Sequence, residues 1–261
     1  MWRGLVTAIR TLTILPIPGR DAESVAAALY WFPLVGLVIG LLQWGIGEGI
    51  GAVAPKGWPA GAAAMVLVAG AALTRGLHLD GLADWADATA VLAGREKALG
   101  VMKDPRIGAL GAVALVSVML LKWVALTRLV ASGALVWVVP VCVIARAVQV
   151  ELAATQPYAR AEGGTAAEFV KGAGRPHRLL ALLSTALLVL VPFGGAGAVA
   201  LLVAWAFAVG FGEACRVRYG GVTGDLLGAC SELTETGLLL MAALAADPEA
   251  GVRVLGWGGW F

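Results

Sequence analysis

Three aspartates recur at helical spacing in the run Leu77-His78-Leu79-Asp80-Gly81-Leu82-Ala83-Asp84-Trp85-Ala86-Asp87. At 100° per residue, Asp84 lies about 40° and Asp87 about −20° from Asp80, so the carboxylates form one stripe about 10 Å long. Stacked like charges repel, and a bare helix gains nothing from them. A hard divalent cation such as magnesium would convert the repulsion into coordination. The alternative is a solvated amphipathic helix with an acidic face. Against it, the intervening Leu, Ala and Trp make the segment nearly membrane-like, and ionisable groups in such surroundings usually mark function. His78 stands about 160° from Asp80 on a continuous helix and joins the stripe only if the helix begins near Asp80.

A second acidic stripe lies in Gly220-Gly221-Val222-Thr223-Gly224-Asp225 and continues to Gly228, Glu232 and Glu235. Thr223 is a good N-cap and Asp225 would sit in the first turn, where a carboxylate favours the helix dipole. Capping does not explain Glu232, seven residues on along the same face. A carboxylate at mid-membrane costs about 2.5–3.5 kcal/mol, so Glu232 and Glu235 are expected to face a polar interior. A third element, Met102-Lys103-Asp104-Pro105-Arg106-Ile107-Gly108, reads as a helix start, with Asp104 as cap and Pro105 in the first helical position. Lys103 and Arg106 beside it suit a phosphate at that helix N-terminus. Arg146, inside an apolar run, needs a partner: a phosphate, Glu151, or the membrane interface. Tyr158 and Arg160 follow just beyond the same run, and bidentate arginine contacts to phosphate are the functional reading. The chain contains no Walker-type loop and no credible Ser-His-Asp set. Its other histidine, His177, reads as interfacial.

Positioning these groups falls to a hydrophobic scaffold. Of 261 residues 60% are hydrophobic, 36 are glycine and only 14% are charged. A soluble fold needs more polar surface and a disordered chain fewer Ala, Leu and Val. The net charge of +2 carries no basic excess of the kind nucleic acid requires, so no nucleic-acid partner is expected. Cys142, Cys215 and Cys230 are widely spaced in apolar runs and suggest neither a disulfide nor zinc. Uncharged runs predict membrane spans at Ser24–Gly47, Gly57–Thr74, Ile107–Leu121 (continuing past Lys122) and Leu129–Ala145 (continuing past Arg146), and a last span runs from about Asp225 to Ala246 around its acidic stripe. Leu179–Gly212 is too long for one crossing and carries a turn at Pro192-Phe193-Gly194-Gly195, giving two more. The expectation is one all-α domain over 1–261: a polytopic integral membrane bundle of about seven transmembrane helices, an N-terminal interfacial segment, and a cytoplasmic acidic helix. With seven crossings, 14 Lys or Arg fall on one side and three on the other, Lys56, Arg128 and Arg253. That bias puts the N-terminus and the acid-bearing loops in the cytoplasm.

Acidic stripes with arginine-rich helix starts describe a site for a magnesium-bound polyphosphate, and phosphoryl or nucleotidyl-type transfer to a membrane-associated alcohol. CDP-alcohol phosphotransferases carry Asp-Gly-x-x-Ala-Arg, which Asp80-Gly81 begins but Ala83-Asp84 breaks. Membrane prenyltransferases use Asn-Asp-x-x-Asp, which His78-Leu79-Asp80 does not match. The set His78-Leu-Asp-Gly-Leu-Ala-Asp-x-x-Asp87, Met102-Lys-Asp-x-Arg-Ile-Gly108, Tyr158-Ala-Arg160 and Gly220-Gly-x-Thr-Gly-Asp-x-Leu-Gly228 with Glu232 resembles the cobalamin synthase family, adenosylcobinamide-GDP ribazoletransferases. Arg10-Thr-Leu-Thr-Ile-Leu-Pro-Ile-Pro18 and Phe32-Pro-Leu-Val-Gly36 resemble its N-terminal segments. The likeness runs in order from about residue 10 to 246, and the tail after Asp247 falls outside it.

The resemblance implies an inner-membrane enzyme that transfers the cobinamide-phosphate moiety of adenosylcobinamide-GDP to the 3′-hydroxyl of α-ribazole, or of its 5′-phosphate, and releases GMP. It implies magnesium held by Asp80, Asp84, Asp87 and Asp225. Charge on the phosphoryl oxygens would be neutralised by Arg106, Arg146 and Arg160, with Lys103, Tyr158, Thr223 and Glu232 also in the substrate site. Asp87, Asp104 or His78, in that order, would be the base. A CDP-alcohol type of phosphotransferase is the alternative, and a transporter a more distant one. The bilayer is the expected surrounding, and a homo-oligomer is compatible with the sequence.

Overall fold

The computed structural model describes residues 2–54 and 57–246, all of it helices and connections. The order is α1 (Trp2–Leu12), a 3-10 helix (Val25–Trp31), α2 (Phe32–Val53), α3 (Pro59–Leu73), α4 (Leu77–Thr89), α5 (Arg95–Val101), α6 (Ala109–Ala131), a second 3-10 turn (Leu135–Trp137), α7 (Val138–Thr155), α8 (Ala167–Gly172), α9 (Arg175–Tyr219) and α10 (Gly224–Ala245). Among the described residues, one bridge outside the helices joins Tyr158 to Val222. Residues 55–56 and the tail from 247, which includes Arg253, lie outside the described residues.

Helix α7 is the centre. Its first two turns are apolar around the whole circumference, and from Val138 to Ala153 every residue except Ala147 is buried, as such a pattern requires. Arg146, Gln149 and Glu151 interrupt the apolar pattern, and Arg146 is fully enclosed. Helices α2, α9 and α10 pack against α7, and α10 in turn contacts α4 and α6. The outer helices α6 and α9 instead expose rows of Val and Leu, among them Val116, Val124, Leu183, Leu187 and Leu202. With their backbone groups satisfied within the helices, such surfaces suit hydrocarbon.

Five helical stretches are long and apolar enough to cross a bilayer, and the bent pair α3 and α4 makes a sixth when counted as one broken span. The seventh expected crossing lies within α9. Its 45 residues are interrupted by non-helical backbone at Gly194 (φ 51°, ψ −132°), a left-handed conformation that suits glycine. A Cβ on Gly197 would come 2.9 Å from the Val189 carbonyl oxygen. In a straight helix two such residues stand about 12 Å apart, so the chain reverses at the expected turn into two packed rods. Small buried residues on both rods, including Ala181, Thr185, Ala200, Ala204 and Ala208, permit that approach.

One expected boundary is corrected. Helix α6 starts at Ala109 with Gly108 as its cap, and not at Pro105. The Asp104 carboxylate is held by the Arg106 backbone N–H and guanidinium, which folds residues 104–106 into a local turn.

Candidate active site where helices α4 and α10 meet

The acidic stripe is presented by a sharp bend. Arg75 and Gly76 adopt left-handed backbone (φ 54° and 65°), and α4 leaves α3 at 87°. The Arg75 guanidinium donates to the Arg10 carbonyl at 3.0 Å, tying the bend to the end of α1. Helix α4 therefore turns away from α3 and packs against α10 and α6. Its face bearing His78, Gly81 and Leu82 is buried, Asp80 is exposed, and Asp84 and Asp87 are half-buried.

Gly81, between Asp80 and Asp84, sets the approach of α10. A Cβ there would stand 2.7 Å from the Asp225 carbonyl oxygen and 2.9 Å from its Cα, so only glycine admits this contact. Two acidic stripes far apart in sequence thus converge. Burial, followed by the neighbouring charges of Asp225 and Asp80, raises the Asp84 carboxyl to about 7.

Cationic groups border this convergence. Arg160 donates to Asp225 Oδ2 at 2.8 Å, and the Thr223 hydroxyl donates to the same oxygen at 3.2 Å. Thr223 Oγ1 also accepts from the Leu226 N–H at 3.3 Å, making it the expected N-cap. Tyr158 and Arg160 are held beside α10 by backbone bonds: the Ala159 N–H donates to the Val222 carbonyl at 2.9 Å, and the Val222 N–H to the Pro157 carbonyl at 2.8 Å. The Tyr158 hydroxyl and Arg160 Nε are buried and have no partner among the described residues. Lys103 pairs with Glu162. Arg106 holds Asp104 by side-chain bonds of 2.9 and 2.6 Å, which brings that carboxyl down to about 2. Asp87, Asp104, Arg106 and Gly108 line a shallow hollow of about 430 Å³.

Four site expectations are placed elsewhere. Asp87 uses both carboxylate oxygens on the start of α6, accepting from the Gly108 N–H at 2.7 Å and the Gly111 N–H at 2.8 Å. Because α4 begins at Leu77, His78 points to the opposite side of the helix from the stripe, where its Nε2 lies 3.0 Å from the Gln149 side-chain nitrogen. Arg146 and Glu232 join a buried ionic cluster: Arg146 pairs with Glu235, and Lys122 with both Glu232 and Glu235. The protein partner of Arg146 is thus Glu235 and not Glu151, which instead binds Arg178 at 2.7 Å. Lys122, given no role from the sequence, closes this cluster. The signal was available, since two bases and two acids in apolar helices must balance one another. Gln149 and Arg218 had no such signal; Arg218 donates to the Thr89 and Val91 carbonyls at 2.9 and 3.0 Å and so closes the end of α4.

Among the described residues, no group of three or more His, Cys, Asp or Glu is gathered closely enough to hold a metal unaided. The carboxylates at the convergence are hard oxygen donors, and burial, followed by the charges of Asp225 and Asp80, raises Asp84. That set suits a cation bound by one or two carboxylates and completed by water and phosphate oxygens, the usual habit of magnesium.

The comparisons agree with one another. A family model described as cobalamin-5-phosphate synthase matches residues 4–243. An adenosylcobinamide-GDP ribazoletransferase of Chlorobaculum parvum is 49% identical over 248 residues, covering 94% of this chain and 96% of its own. The protein of the same name from Chlorobium phaeobacteroides is 49% identical over 236 residues, 89% of this chain and 94% of its own. That from Syntrophobacter fumaroxidans is 36% identical over 248 residues, 93% and 99% of the two chains. No solved structure matches the chain. With a family model spanning almost all the described helices and relatives near half identity over more than nine-tenths of their lengths, the chain belongs to the cobalamin-5-phosphate synthase family.

Proposed function

We propose that this chain transfers the cobinamide-phosphate moiety of adenosylcobinamide-GDP to the 3′-hydroxyl of α-ribazole, or of its 5′-phosphate, releasing GMP. The observation that carries the reading is the glycine-mediated contact of α4 and α10, which brings Asp225, with Arg160 on it, against the Asp80 and Asp84 stripe. The ribazole oxygen attacks the phosphorus on the cobinamide side. The bond from that phosphorus to the GMP oxygen breaks, and GMP leaves with the electron pair. Magnesium, when bound at Asp80, Asp84 and Asp225, would supply charge neutralisation at the diphosphate.

The chain's own groups do the positioning. Arg160 exchanges Asp225 for a phosphoryl oxygen, and its unpartnered Nε and the Tyr158 hydroxyl are donors ready for further oxygens. Lys103 and Arg106, on the exposed 102–108 turn, take up the outer phosphate. Asp87, Asp104 and His78 each hold hydrogen bonds elsewhere, and with Asp80, Asp84 and Asp225 given to magnesium the proton of the ribazole hydroxyl passes to solvent water at this face. The basic residues flanking this face orient it to the cytoplasm of an inner membrane.

The test uses purified protein in proteoliposomes with magnesium, adenosylcobinamide-GDP and α-ribazole, reading GMP. Wild type releases GMP; Asp80→Ala stays in the membrane and releases none. Full activity in Asp80→Ala overturns the site. Turnover of a CDP-alcohol without GMP release overturns the reaction.

A further inference from the structure

On the flank away from the acidic convergence, a recess of about 930 Å³ opens between α1, the 3-10 helix Val25–Trp31 and the first rod of α9. Its walls include Tyr30, Trp31, Leu34, Leu179, Leu183 and Leu187. From Leu179 to Leu187 it follows α9 for about 12 Å. The wall along α9 from Leu179 to Leu187 is leucine except for Ser184, whose hydroxyl is already spent on the Ala181 carbonyl at 3.1 Å; the other polar side-chain atoms of the interior are the Tyr30 hydroxyl and the Trp31 ring N–H on the 3-10 helix. One end differs. Arg3, Glu23 and Ser24 line it, and Arg3 and Glu23 form an ion pair of 3.0 Å whose side chains are 51% and 92% exposed. His177, in the first turn of α9, stacks on Tyr30 with centroids 4.2 Å apart and fixes the rod against the 3-10 helix.

We infer that this recess is a binding site for one zwitterionic aminophospholipid, its acyl chain along Leu179–Leu187 and its headgroup at Arg3 and Glu23. The apolarity of the trough suits a hydrocarbon tail, part of which lies along the roughly 12 Å from Leu179 to Leu187, and α9 exposes it to the bilayer side, where such tails are the available solute. The mouth carries one charge of each sign. A headgroup phosphate faces Arg3 and its ammonium faces Glu23, so the exposed ion pair is replaced by two charge-matched contacts. An anionic lipid such as phosphatidylglycerol satisfies Arg3 with its single phosphate charge but offers Glu23 only a neutral glycerol, which leaves that carboxylate without a cation and is why the zwitterion is preferred.

The test is native mass spectrometry of the full chain from mild detergent, titrated with palmitoyl-oleoyl phosphatidylethanolamine or phosphatidylglycerol. Wild type retains one phosphatidylethanolamine in preference to phosphatidylglycerol. Leu183→Trp, at an exposed position where the larger ring fills the trough, loses that lipid while its melting temperature is unchanged; Leu179→Trp repeats the test at an independent position. Arg3→Ala weakens retention about fivefold, the share of one interfacial arginine. Glu23→Gln narrows the preference between the two lipids. The inference is overturned if wild type retains no lipid, if both tryptophan variants retain it undiminished, if phosphatidylglycerol binds better, or if Leu183→Trp changes oligomeric state and not lipid count.

Discussion

Replacing Glu235 by leucine breaks the buried ionic cluster at its most connected point. Glu235 serves both Lys122 and Arg146, and the three side chains are at most 10% exposed. After its loss Lys122 keeps Glu232, but Arg146 has no other ion pair among the described residues. A guanidinium cannot shed its proton to escape, so an uncompensated charge remains inside the bundle. Breaking a buried pair in this way costs about 3–5 kcal/mol. The double variant Arg146→Met/Glu235→Leu removes both charges together and is expected to regain most of that stability, because a packed apolar pair is often equivalent to a buried ion pair. Lys122→Met should cost less, about 1–3 kcal/mol, since Glu232 can take up a proton. Equilibrium unfolding in mixed micelles measures all four proteins. A Glu235→Leu protein as stable as wild type, or a double variant worse than the single, refutes the pairing. The double variant also separates two roles for Arg146: if it is stable and still releases GMP, Arg146 is not a phosphate ligand.

Asp84 gives a pH signature. Its carboxyl is raised to about 7 in the folded chain against 3.8 as a free side chain, so between these values the folded state holds a proton that the unfolded state has released. This group's contribution to stability therefore falls as pH rises from about 4 to about 7, and magnesium uptake should strengthen over the same window; Asp84→Asn removes both trends, read by unfolding and by calorimetric titration with magnesium. Gly81→Ala puts a methyl group 2.7 Å from the Asp225 carbonyl oxygen, and should cost about 1–3 kcal/mol and most of the GMP release; an active, stable Gly81→Ala shows the α4–α10 contact to be looser than described. Asp87→Ala removes the acceptor of two N–H groups at the start of α6 and should cost about 0.5–2 kcal/mol in unfolding, with GMP release reduced less than in Asp80→Ala; equal loss in the two would place Asp87 among the groups that act on substrate.

What could be read in advance was whatever depends on neighbours in the chain. Uncharged runs located the spans, Pro192 to Gly195 located the reversal in α9, and Thr223 was recognisable as a cap from its place before a helical run. The three aspartates of α4 were visible as a stripe because helical spacing is local. What escaped depends on pairs distant in sequence. Asp87 belongs to the stripe by spacing, but Gly108 and Gly111, more than twenty residues on, take both of its oxygens. Arg146 looked like a phosphate ligand until Glu235 was placed beside it. Asp104 followed by proline resembles a helix start, yet the Arg106 guanidinium outcompetes the helix for its carboxylate. Periodicity assigns a face; it does not say which polar group across the bundle will occupy it first.

Helix α10 carries Asp225 in its first turn and Glu232 and Glu235 farther along the same rod. Sliding that rod by a single turn, about 5.4 Å, would tear both glutamates from Lys122 and Arg146. The ionic cluster therefore works as a depth stop. It fixes the register of α10 against α6 and α7, so that Asp225 reaches the α4 aspartates at one height along the bundle.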